Sequence, residues 1–91
     1  ITGNTTMVAG RGYFVDTSSS AITMTLPASA VRGDEVWLVD YAGTFDTNNL
    51  TVGRNSHKIQ GDASDLTVST ERAGFTLVYV DATQGWLLRD K

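Results

Sequence analysis

Residues with β-branched side chains restrict the fold of this 91-residue chain more than any other feature. Thirteen Thr, nine Val and three Ile occur in short blocks, and Gly, Asn, Asp and Ser lie between the blocks. β-Branched side chains pack well on the pleated surface of a sheet, whereas the intervening residues favour turns. The sequence therefore predicts an all-β fold, a small sandwich or barrel-like domain of about eight short antiparallel strands.

Eight segments have the alternation or the composition of strands. The clearest is Ile22–Leu26, where apolar residues alternate with threonines and Pro27 then ends the strand. Only Ala28–Arg32 could form a helical turn, because Gly33 follows too soon for a longer helix. The predicted strands are Gly12–Asp16, Ile22–Leu26, Val36–Tyr41, Leu50–Gly53, Lys58–Gln60, Leu66–Ser69, Phe75–Asp81 and Trp86–Arg89.

Three of the predicted strands are apolar on both faces. In the strand at 36–41, alternation places Trp37, Val39 and Tyr41 on the face opposite Val36 and Leu38. An antiparallel sheet in a small monomer usually has one wet face, so we expect the second face to be buried against another copy of the chain. The alternative is that these are central strands of a two-layer sandwich. Residues expected in the core or the subunit interface are Trp37, Val39, Tyr41, Phe75 and Tyr79.

Size, cysteine content and charge exclude several classes of protein. A chain of 9.8 kDa allows one small domain and no separate cofactor domain. The absence of cysteine excludes disulfides and thiolate metal sites. A net charge of −3 without a basic cluster disfavours nucleic-acid binding, and the apolar runs are too short for a membrane-spanning helix. We therefore expect no nucleic-acid partner and no membrane insertion.

No residue pattern marks an active site. His57 is the single histidine, and pairing it with any of seven serines and eight aspartates is too permissive to indicate a catalytic triad. The oxygens of Asp62–Asp65 suit calcium but are also typical of an ordinary turn. Arg32–Asp34 spells an integrin-binding tripeptide, which a turn before a strand explains equally well. We expect no catalytic residue, no cofactor and no bound metal, and thus no enzyme.

One polar loop has the composition of a contact surface. Arg54, Asn55, His57 and Lys58 combine cations with amide and imidazole groups that could hold an anionic glycan, and the alternative is an uninvolved solvated loop. Trp86, beside Gly85, is the candidate for stacking on a sugar ring. These residues are our candidate receptor contacts.

The order of the sequence pieces between residues 12 and 88 resembles the modules near the C-terminal ends of tail fibres of tailed bacteriophages. Each piece is weak alone, but the ordered set is fairly specific. The pieces are Gly12–Asp16, Ile22–Pro27, Gly33–Val36, Asp40–Phe45, Asn48–Asn55, Ile59–Gly61, Leu77–Asp81 and Gly85–Trp86.

The resemblance implies an intimate homotrimer in the virion, joined to the rest of the tail fibre and acting at the host cell surface. It implies that residues 12–91 form a β-rich tip domain and that residues 1–11 end an upstream stem or connector. The expected receptor is a bacterial surface polysaccharide, either capsule or lipopolysaccharide, bound without cleavage through three weak sites that add by avidity. The alternative is a structural module that trimerises or terminates the fibre while another segment contacts the host.

Overall fold

Eight strands form two four-stranded sheets in this computed structural model, which describes residues 1–89. The sheets have the strand orders β1-β3-β5-β6 and β2-β4-β7-β8. No described residue belongs to a helix, so none forms a helix that could span a membrane. The prediction of an all-β domain is confirmed. The strands are β1 (Thr5–Thr6), β2 (Gly12–Val15), β3 (Ile22–Thr25), β4 (Glu35–Asp40), β5 (Leu50–Gly53), β6 (Leu66–Val68), β7 (Gly74–Asp81) and β8 (Gly85–Arg89).

The first five strands alternate between the two sheets. Because each connection crosses to the opposite sheet, strands that become neighbours run in the same direction: β1 with β3, β3 with β5, and β2 with β4. The other three pairings, β4–β7, β5–β6 and β7–β8, are antiparallel. The prediction that the strands are antiparallel is therefore wrong for the first half of the chain.

Seven of the eight predicted strands are present, and the predicted strand Lys58–Gln60 is not. In that segment only Ile59 forms bridges, with Asp62 and with Trp86. A positive φ of 54° at Gln60 turns the chain away, so pairing does not extend. The two-residue strand β1 was not predicted, because two threonines in a polar stretch show no alternation to detect.

The predicted helical turn at Ala28–Arg32 is also absent. These residues lie in the loop between β3 and β4, where the backbone N–H of Val31 donates to Oδ2 of Asp34, 3.0 Å away. An aspartate that captures a backbone donor in this way competes with helical hydrogen bonding.

The core lies between the two sheets and takes side chains from both. Met24 and Leu50 contribute from the first sheet, and Leu38 and Leu77 from the second, all of them buried. Residues 1–11, which the resemblance assigns to a connector, pack as part of this domain. They supply β1 and the buried side chain of Met7.

Candidate functional site

Four side chains form an apolar row on the outer side of the β2-β4-β7-β8 sheet, and we call this row the aromatic face: Phe14, Trp37, Val39 and Tyr41. Phe14 is 57% exposed, Trp37 40% and Tyr41 63%, while Val39 is half-buried. Strand alternation forces this arrangement, since Val36 and Leu38 of β4 face the core. Exposed aromatic side chains on one side of a sheet are typical of a surface that binds a partner.

The indole ring of Trp37 is fixed in place although it is 40% exposed. Gly12 lies opposite Trp37 in the parallel register, and a Cβ atom at Gly12 would overlap the ring. Phe14 contacts the ring edge-on, with centroids 5.4 Å apart. The ring therefore lies against the β2 backbone beside Phe14, a preordered position that lowers the entropy cost of binding.

The structure separates the five residues expected in the core or interface into two groups. Phe75 and Tyr79 are buried on the inner side of β7. Trp37, Val39 and Tyr41 lie on the aromatic face. Sequence reasoning missed Phe14. In Gly12–Val15 the side chain of Val15 is buried and that of Phe14 is exposed, so the alternation rule would have placed Phe14 on the outer side.

Two of the four side chains of the candidate receptor loop fasten it to the loop between β3 and β4. The side-chain amide of Asn55 donates to the carbonyl of Leu26 at 2.9 Å. His57 Nε2 lies 2.8 Å from the carbonyl of Ala28, and Arg54 Nη1 donates to the carbonyl of His57 at 3.3 Å. Of the four candidate residues, only Lys58 is fully exposed. The loop is thus a structural brace with the side chain of Lys58 exposed at its surface.

We expect His57→Ala to lower the free energy of unfolding by about 1–2 kcal/mol without changing the oligomeric state. The change removes the bond to Ala28 and an edge-on contact with Tyr79, whose ring centroid lies 5.2 Å from that of His57. Urea unfolding followed by tryptophan fluorescence measures the loss, with Lys58→Ala as the neutral control. A loss equal to that of the control would contradict the bracing role.

Trp86, the candidate for sugar stacking, is completely buried, so this prediction is wrong. Its ring lies in the core against Tyr79, with centroids 5.5 Å apart, and offers no face to a ligand. Gly85 places it there: with φ at 73° it packs directly on the carbonyl of Lys58, where any Cβ atom would overlap. Sequence could not decide which side of β8 faces inward, because Leu87 on the opposite side is also apolar.

Asp40 is a buried carboxylate that the sequence did not single out. It is 1% exposed and accepts four backbone hydrogen bonds. Gly43 and Thr44 donate to Oδ1 at 2.9 and 3.1 Å, and Phe45 and Arg72 donate to Oδ2 at 3.1 and 2.9 Å. Burial raises the pKa of Asp40, but the four donors together outweigh it and hold the pKa below its usual value. Asp40 thereby holds the loop between β4 and β5 and the loop between β6 and β7 together beside Tyr41.

A second apolar surface lies where the two sheets end, and we call it the β6 groove. It has a volume of about 320 Å³ and opens between the edge strand β6 and the strands β7 and β8. Its apolar lining consists of Leu66, Val68, Ala73, Phe75 and Leu88. The exposed side chain of Thr67 borders it.

The remaining candidate chemistries are not assembled into sites. Arg32 donates to the carbonyl of Val80 and Asp34 accepts from Val31, so the integrin-type tripeptide is bonded back to the domain. Within residues 1–89, no three acidic or histidine side chains are grouped so that they could hold a metal ion. Asp65 accepts the backbone N–H of Arg54 at 2.9 Å, which is turn chemistry.

Comparison with known proteins adds no further assignment to this geometry. The chain matches no protein-family model and no curated protein. The aromatic face and the β6 groove are therefore the features on which a function has to be argued.

Proposed function

We propose that this chain is a homotrimeric module of a phage tail fibre that attaches to a bacterial surface polysaccharide without cleaving it. The observation that carries the proposal is the aromatic face. Three aromatic side chains lie exposed there on a rigid sheet, and burial of each against another copy contributes about 1.5–3 kcal/mol. A module that functions through repeated copies needs such a self-association surface.

Attachment then depends on weak contacts repeated three times. A single exposed loop with one cation, such as Lys58, binds a charged glycan weakly. Three copies on one rigid assembly raise the effective concentration of the second and third contacts, so avidity increases by about 10²–10⁴. No catalytic group is required for this mechanism.

A second function, a structural module that trimerises or terminates the fibre, is favoured by the candidate receptor loop itself. Asn55 and His57 of that loop bond to backbone carbonyls of the neighbouring loop. Groups used in this way are not free to bind a sugar. In this alternative the aromatic face serves assembly alone.

Competition for adsorption distinguishes the two functions. We expect the assembled chain, added in excess to host cells, to bind them and to delay phage adsorption, whereas Lys58→Glu weakens that binding and Thr83→Glu, also exposed, does not. Failure of the assembled chain to bind or delay adsorption would leave only the structural function. New reducing ends after incubation with purified host polysaccharide would contradict binding without cleavage.

A further inference from the structure

The aromatic face alone is too small to hold copies of the chain together. The outer side of the whole β2-β4-β7-β8 sheet, with four strands about 4.8 Å apart and about six residues long at about 3.3 Å each, spans roughly 400 Å², and the aromatic face is only part of it. Stable interfaces bury about 800 Å² on each partner. In a ring of three copies each subunit also has two neighbours, so a second surface must take part.

A ring of identical subunits is built from two different surfaces, because the contact repeats head to tail around the axis. Among residues 1–89 the β6 groove is the apolar surface that complements the aromatic face in shape. It is concave, while Phe14 and Tyr41 project from the sheet and are more than half exposed. A cavity of about 150 Å³ already accommodates benzene, so the groove's 320 Å³ has room for a phenyl ring.

Apart from its short length of three residues, the strand beside the groove lacks the features that usually protect a sheet edge. Natural edge strands are guarded by charges, prolines, bulges or covering loops. The segment from Leu66 to Thr70 contains neither a charge nor a proline, and β6 pairs only with β5. The outer edge of β8, by contrast, is covered by Gln60, which donates its N–H to Trp86 and accepts the N–H of Leu88.

Resting on the homotrimer proposed above, we infer that the aromatic face of each copy seats in the β6 groove and against the β6 edge of the next copy. The contact is thus heterologous, and closing the ring uses both surfaces of every subunit. The occupant of the groove is a second copy of this chain.

Two variants, each with one surface blocked, test this arrangement. Trp37→Asp damages the aromatic face and leaves the groove intact. Thr70→Arg places a long cation at an exposed residue that lines the groove, so it blocks the groove without removing a core side chain. We expect both variants to be folded monomers by circular dichroism and sedimentation. Ser64→Arg, an exposed change outside the groove, is the matched control and should assemble normally.

Mixing the two variants gives the decisive result. Each mixed pair still has one intact aromatic face and one intact groove, so the mixture should form heterodimers. Their dissociation constant should be at least about tenfold lower than that of either variant alone. Failure of the mixture to associate, or a Thr70→Arg protein that remains trimeric, would overturn the pairing of the aromatic face with the β6 groove while leaving the trimer itself standing. A monomeric unmodified chain would instead overturn the trimer.

Discussion

Trp37→Asp should produce a folded chain with one third of the assembled mass. The indole ring lies on the outer side of the sheet, so its loss removes the edge-on contact with Phe14 and the packing against Gly12, but no side chain of the core between the sheets. That contact is worth about 0.5–1.5 kcal/mol, which the fold can lose. An aspartate in the interface would instead have to be desolvated when the copies associate, which destabilises the assembly by several kcal/mol for each copy.

Size exclusion coupled to light scattering measures the mass of this variant, and circular dichroism reports its fold. Val31→Asp is the control, because Val31 is 65% exposed in the loop before β4, outside the aromatic face, and the same charge there should not disturb assembly. A well-folded Trp37→Asp protein of unchanged mass would show that the aromatic face is not the interface.

Asp40→Asn should lower the free energy of unfolding by about 4 kcal/mol, the largest loss expected from any isosteric change in this chain. The carboxylate accepts four backbone N–H groups, two on each oxygen. An asparagine accepts two of them at most and turns an NH₂ group towards the other two, which leaves buried donors without partners. The β4–β5 and β6–β7 loops beside Tyr41 would lose the carboxylate that accepts hydrogen bonds from both.

Urea unfolding measures this effect and is best done in the monomeric Trp37→Asp background, where assembly adds nothing to stability. Asp46→Asn is the control, since Asp46 is exposed in the same loop and its change should stay within about 0.5 kcal/mol. A loss no larger than that of the control would contradict the anchoring role of Asp40.

The same carboxylate predicts how stability depends on pH. Its pKa in the folded chain is lowered below 3.8, so folding favours the charged form. The stabilisation is therefore fully present above the unfolded-state pKa and is lost as the pH falls through the folded-state pKa. We expect the gap in stability between parent and Asp40→Asn to narrow below about pH 4, the range in which aspartate titrates. A gap that stays constant down to pH 2.5 would contradict this assignment.

Local alternation allowed most of the strands and the division of the β4 side chains between two faces to be predicted, because burial with a period of two depends only on adjacent residues. It did not show which face of β4 is the inner one, since both faces are apolar. The parallel pairing could not be predicted in this way. It depends on which sheet each loop crosses to. Turn residues such as Gly43 indicate that the chain turns, but not which sheet the next strand joins. The burial of Trp86 was missed because both sides of β8 are apolar.

The candidate site was predicted in part. Alternation placed Trp37 and Tyr41 on the face opposite Val36 and Leu38 but did not decide which of the two faces the core, and the same rule applied to β2 would have added Phe14. Asp40 was missed because one of its four donors depends on distant geometry: Arg72 lies 32 residues away along the chain. The polar loop at 54–58 has the composition of a contact surface, yet its hydrogen bonds to Leu26 and Ala28 follow from tertiary packing.

The most direct test of self-association is the mass of the unmodified chain in solution, measured by light scattering over a range of concentrations. The aromatic face and the β6 groove predict a species about three times the 9.8 kDa of one chain. A single species of 9.8 kDa at every concentration would contradict the trimer.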